Sequence, residues 1–136
     1  MTLAGDSASS HSKAPPNGSP ARCGGDPIAD NRGPTPISLT SVHFSPCAHT
    51  AWHRHSLGQT LCVTEREGVV QSRGGPLIRI RPGEVVVISG GEWHWHGAAP
   101  DHVMTHLALT EGDTEWGDHL ADDEYPHDPQ TAATAP

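Results

Sequence analysis

The chain has 136 residues, a net charge of −8 at neutral pH, 34% hydrophobic residues and 11 histidines, a length that holds one compact domain. Its 15 Gly and 13 Pro exclude a long helical bundle or a doubly wound α/β domain. With a single lysine (Lys13) it lacks the basic footprint for nucleic acid or an anionic membrane, and no apolar run approaches the roughly 20 residues that span a bilayer.

Residues 1–36 hold six Pro, five Gly and five Ser and almost no large apolar side chain. Such a stretch cannot bury enough surface to offset its ordering entropy, so it is expected to be a disordered leader. It shows no positively charged run followed by an apolar one, which makes the cytoplasm the expected compartment. From residue 37 the hydrophobic period is two. Ile37 to Phe44 alternates as a half-buried strand does, and Gln59 to Thr64 is a second β-rich run. Val69-Val70-Gln71 follows the Glu67-Gly68 turn, and Leu77 to Arg81 alternates again after Arg73-Gly74-Gly75-Pro76. Val85 to Ile88 follows Pro82-Gly83. Trp93 to Gly97 and His102 to Thr110 complete the set. Short strands with a turn signal every 8–12 residues predict an all-β sandwich or barrel over 37–125. Within it, 111–125 is the stretch with weak helical character. Pro126 to Pro136 has the composition of the leader and is expected to be a flexible tail. Three cysteines, Cys23, Cys47 and Cys62, are odd in number and lack CxxC spacing, which argues against a disulfide framework or a cysteine zinc site.

The histidines cluster. His53 and His55 are separated by one residue, so on an extended chain both imidazoles leave one face. Gln59 follows across the Gly58 bend, His94 comes after the Gly90-Gly91 turn, and His96 is two residues beyond it. His53, His55, Gln59 and His94 make a four-ligand set for a divalent first-row metal. The plainer reading of a His-x-His pair on a strand is a surface or hydrogen-bonding pair. His11, His43, His49, His102, His119 and His127 read as solvated or loop histidines, and Trp52 and Trp93 as packing at a barrel mouth.

Cys47 to Ala98 resembles the two motifs of the cupin superfamily, a small jelly-roll-like β-barrel. The first is a Gly, five residues, His-x-His, three or four residues, Glu, six residues, Gly. Here it reads Cys47, His53-Arg54-His55, Gln59, Arg66. The second is a Gly, five residues, Pro-x-Gly, two residues, His, three residues, Asn. Here it reads Gly83, Ser89-Gly90-Gly91, His94, Ala98. The histidine spacing matches, while Cys47, Arg66, Ser89 and Ala98 replace framing residues. The stretches Thr50 to Leu61, Gly91 to Pro100 and Met104 to Ala108 are similar to small bacterial single-domain cupins, among them the manganese-dependent hydroxynitrile lyases. The resemblance covers 37–125 and leaves the leader and tail unexplained.

Three imidazoles and an amide leave the metal's charge uncompensated, which makes a stronger Lewis acid toward an anionic oxygen than a site with Glu at position 59. Ligand chemistry alone leaves Mn(II), Fe(II), Ni(II), Co(II) and Zn(II) open, and the resemblance implies Mn(II), or else Fe(II). Proton transfer needs a base, and His106, on a strand expected to line the barrel, is the candidate. It matches a histidine implicated in the lyase site, with His96 assisting cyanide or fixing the base. The implied reaction is cleavage of a cyanohydrin to an aldehyde or ketone plus cyanide, and its reverse. Thr110 stands where that group often carries Gln. Other cupin chemistries compete with this reading: an Fe(II) dioxygenase, a polyketide-type cyclase, or a non-catalytic cupin that binds a small molecule. The family also implies a homodimer that shields strand edges.

Overall fold

The computed structural model describes residues 23–31, 33–34, 36–126 and 133–134. Their alternating sequence forms eleven strands: β1 (Cys23–Asn31), β2 (Ile37–Phe44), β3 (His53–His55), β4 (Gly58–Arg66), β5 (Gly68–Ser72), β6 (Leu77–Ile80), β7 (Val85–Ser89), β8 (His94–Ala98), β9 (Met104–Glu111), β10 (Thr114–Trp116) and β11 (Ala133–Thr134). They build a five-stranded sheet in the order β1-β2-β9-β4-β7 and a six-stranded sheet in the order β10-β3-β8-β5-β6-β11. Every pairing is antiparallel except β11 with β6. The described residues contain no helix, so the fold is the expected all-β barrel.

Three expectations change at the margins. Cys23–Asn31 falls inside the predicted leader, yet it pairs along the length of β2. Its Gly-Gly-Asp-Pro composition hides it from any hydrophobic pattern, because main-chain hydrogen bonds to β2 hold it at the sheet edge. Residues 111–125 are not helical: β9 runs to Glu111, Gly112 turns the chain at φ 80°, and Thr114 to Trp116 pairs with β3. In the expected tail, Ala133 and Thr134 pair with Ile78 and Arg79.

The register sorts side chains by face. In the five-stranded sheet, Ser38, Thr110, Gln59 and Ile88 form one cross-strand row, and Val42, His106 and Val63 another. Side chains opposite one another share a face, and these rows point between the sheets. Phe44, Leu61, Val63, Val70, Ile80, Ile88 and Met104 fill the interior there. The intervening rows, Leu39–Leu109–Thr60–Val87 and Ser41–Leu107–Cys62–Val85, line the outer face, and Asp26 on β1 extends the second row opposite Ser41, where it pairs with His43.

β8 is buried along its whole length. His94, His96 and Ala98 alternate with Trp95, which joins a second cluster of Trp52, Val69, Leu120 and Tyr125. The C-terminal stretch thus covers the side of the six-stranded sheet that faces away from the barrel. Tyr125 donates its hydroxyl to the Ala98 carbonyl at 2.5 Å and stacks on His49 with ring centroids 4.7 Å apart. Segment 47–49 can lie against β8 only because Gly97 has no side chain: a Cβ there would sit 2.5 Å from the Ala48 carbonyl oxygen. Cys47 (φ 70°) and Arg66 (φ 59°) are the non-glycine residues with positive φ among the described residues. Both occupy positions where the cupin motif carries Gly, the residue that takes this conformation without strain.

Candidate metal centre

β3, β4, β8 and β9 bring six polar side chains into one end of the barrel: His53, His55, Gln59, His94, His96 and His106, all buried. The ring centroids of His53 and His94 are 4.2 Å apart, those of His53 and His55 5.1 Å, and those of His55 and His94 5.5 Å. Gln59 Oε1 lies 3.0 Å from His94 Nε2. The predicted set is therefore assembled. Among the histidines, candidate ligand atoms of His53, His94 and His96 all lie within 4.8 Å of one another, a trio that holds His96 in place of His55.

Partners outside the cluster decide what each ring presents to it. His53 Nδ1 is 2.9 Å from the Ala51 carbonyl and His94 Nδ1 is 2.9 Å from the Glu92 carbonyl. A carbonyl only accepts, so both Nδ1 atoms carry the proton and both Nε2 atoms offer a lone pair. Gln59 donates its amide nitrogen to Thr110 Oγ1 at 3.0 Å, which leaves its carbonyl oxygen facing His94. His94 Nε2 and Gln59 Oε1 are then two acceptors at hydrogen-bond distance with no proton between them. His55 Nδ1 meets Thr114 Oγ1 at 2.9 Å, and its Nε2 is buried without a partner. Buried ring nitrogens converging with an amide oxygen fit a cation.

Burial holds all of these imidazoles neutral at physiological pH. His53 is pushed down to about 3, by desolvation first and the neighbouring His94 second. His55 is pushed down to about 4 by the same two causes, partly opposed by Gln59. His94 is lowered by burial against the pull of the Glu92 carbonyl. His96, enclosed among four other histidines, lies well below the usual range, again chiefly through burial. Neutral rings are the ligand form.

His106 is expected to take the substrate proton directly. In the structure its Nε2 is bonded to His96 Nδ1 at 3.0 Å, its ring packs against Phe44, and burial lowers it to about 4. His96 thus stands between His106 and the ligand cluster, and its Nε2 is buried without a partner. The other histidines lie elsewhere. His43 is exposed and paired with Asp26, His102 is half-buried beside Glu67 and Arg66, and His119 is exposed. His49, expected to be solvated, is half-buried between Trp95 and Tyr125. His11 and His127 lie outside the described residues.

Trp52 and Trp93 pack against arginine and apolar side chains. Arg73 lies over both rings, and Trp52 belongs to the cluster behind the six-stranded sheet. The aromatic beside the ligands is Trp116, which is 63% exposed, pairs with His53 in register and has its ring centroid 4.8 Å from that imidazole. Thr114 and Trp116 escape sequence reasoning as site residues because only the β3–β10 register places them there, and the contact of Thr110 with Gln59 follows from the β4–β9 register. The His-x-His of β3 was the usable signal, since an antiparallel partner must put alternate residues beside it.

Among proteins of known function, (R)-mandelonitrile lyase from Granulicella tundricola is 47% identical over 104 residues, 74% of this chain and 79% of that protein. The chain belongs to the cupin family of that lyase. A cupin-like protein from Thermotoga maritima of known structure superposes with a TM-score of 0.73 at 33% identity, over 82% of this cupin and 85% of that chain. The polyketide cyclase RemF from Streptomyces resistomycificus, at 20% identity and a TM-score of 0.61 over 77% and 75% of the two chains, shares the fold. No family model matches the sequence. Membership places this cupin among enzymes, with a three-histidine group able to bind a metal ion. Among the described residues, no helix is long and apolar enough to cross a membrane.

Proposed function

We propose that the protein is a metal-dependent hydroxynitrile lyase. The observation that carries this reading is the pair of opposed acceptors, His94 Nε2 and Gln59 Oε1, beside the inward-facing Nε2 atoms of His53 and His55. Its reaction class rests on the kinship to (R)-mandelonitrile lyase. His53, His55, Gln59 and His94 would hold a divalent cation, Mn(II) by family resemblance. Bound there, the cation supplies Lewis acidity toward the substrate's hydroxyl oxygen.

The chain's own groups handle the proton. His96 Nε2, buried, neutral and without a partner, accepts it from the cyanohydrin hydroxyl. The O–H electrons become the carbonyl π bond, the C–C bond breaks, and cyanide leaves with that bonding pair. His96 returns the proton to cyanide, so aldehyde or ketone and hydrogen cyanide are the only products. His106 steadies the His96 ring through Nδ1. Burial disfavours the protonated form of both rings, which favours return of the proton.

The test is cyanide release from mandelonitrile by protein loaded with Mn(II), with metal content measured on the same sample. Stoichiometric metal and cyanide release sustain the reading. A fully loaded protein that releases no cyanide overturns the reaction. A second copy of the chain is the proposed partner, docked on the apolar β7 edge of the five-stranded sheet's outer face, where Val85 and Val87 are 56% and 75% exposed. Light scattering that shows a monomer, unchanged by Val87→Lys, removes that part.

A further inference from the structure

We infer that Thr110 is a positioning residue that keeps the cation site open by holding the Gln59 amide from behind; this rests on the cation reading above. Thr110 stands opposite Gln59 in the β4–β9 register, and both side chains point between the sheets. The Gln59 amide nitrogen donates to the Thr110 hydroxyl at 3.0 Å, so its oxygen faces His94 Nε2. His94 cannot answer with a proton, because its own N–H is committed to the Glu92 carbonyl.

Turning the amide over would satisfy His94 at once. The amide N–H would donate to the Nε2 lone pair, and the chamber would close on an internal hydrogen bond. Thr110 opposes that turn by giving the N–H an acceptor on the far side. It thereby maintains two acceptors 3.0 Å apart, an arrangement that a cation between them reconciles. Thr114 makes the matching contact to His55 from an exposed strand, where water can replace a lost hydroxyl. Its contribution is therefore smaller.

The experiment measures the affinity of full-length protein for Mn(II) alone, by competition with a chelator, together with the melting temperature of metal-free samples. Thr110→Val keeps the β-branched shape and removes the acceptor. It is expected to weaken Mn(II) binding about 10–100-fold, with no loss of metal-free stability because the freed amide bonds His94. Thr110→Ala, which lacks the hydroxyl and adds no methyl against Gln59, should weaken binding to the same degree. Thr110→Ser should bind within about threefold of the parent, and Thr114→Val should lose less than about tenfold. Parent-like affinity in both hydroxyl-free variants overturns the inference, as does a Ser variant as weak as the Val one. A parent protein that binds no Mn(II) overturns the cation reading itself, a result separable from either.

Discussion

β8 offers a comparison within five residues. One face carries His94 and His96 into a chamber of unsatisfied nitrogens, and the other carries Trp95 into an apolar cluster under the C-terminal stretch. The inward face gives up stability, since each buried imidazole without a partner has lost its water. The outward face supplies it: Trp95 is fully buried, and its indole donates to Gln71 Oε1 at 3.1 Å. A buried polar site can be held in place when the same strand is anchored from behind. The two faces should therefore respond oppositely to mutation.

Trp95→Ala is the sharpest way to break the contrast. Loss of a buried Trp should cost about 3–5 kcal/mol in denaturant melts and affect metal content only through unfolding. His94→Ala should do the reverse, lowering Mn(II) affinity at least about 100-fold in elemental analysis. It leaves metal-free stability within about 1 kcal/mol, because the ring it deletes is a buried polar group. If His94→Ala unfolds the protein as Trp95→Ala does, the division of labour fails. Tyr125→Phe removes one hydrogen bond to Ala98 and should cost about 1 kcal/mol with unchanged metal affinity. Cys47→Gly and Arg66→Gly relieve left-handed strain at some cost in backbone entropy, for a net gain of about 0.5 kcal/mol each, read as a rise in melting temperature. The smallest effect concerns acid. Burial, opposed by the Cys47 carbonyl, lowers the folded pKa of His49 below its ordinary 6.5, so the unfolded chain binds the proton more readily. Its contribution to stability is complete above pH 6.5 and falls as pH drops below it. His49→Phe should make the acid side of a pH–stability curve slightly less steep without moving its neutral side, since the buried site histidines keep the rest of the slope.

Much of the barrel was legible because strands buried on one face alternate, and β2, β4, β6 and β9 sit where alternation and turn residues place them. The ligand set was legible because a short His-x-His strand leaves its imidazoles no choice of face. What escaped depends on pairing between distant segments. β1 and β11 carry no hydrophobic period, and their order comes from main-chain bonds to β2 and β6. The roles of Thr110 and Thr114 follow from register across long sequence separations, and so does the placing of Trp116 beside His53. The bond between His96 and His106 joins the two sheets, and local patterning carries no information about such a contact.

The alternation along β8 also acts as a reading frame. A slip of one residue would carry Trp95 into the chamber and put His94 and His96 against Tyr125 and Leu120. Both faces would then be wrong, because an indole would fill the space among the ligands while imidazoles displaced the apolar packing. The strand that presents the chemistry therefore also checks its own alignment, and a misregistered barrel is penalised twice during folding for a single error.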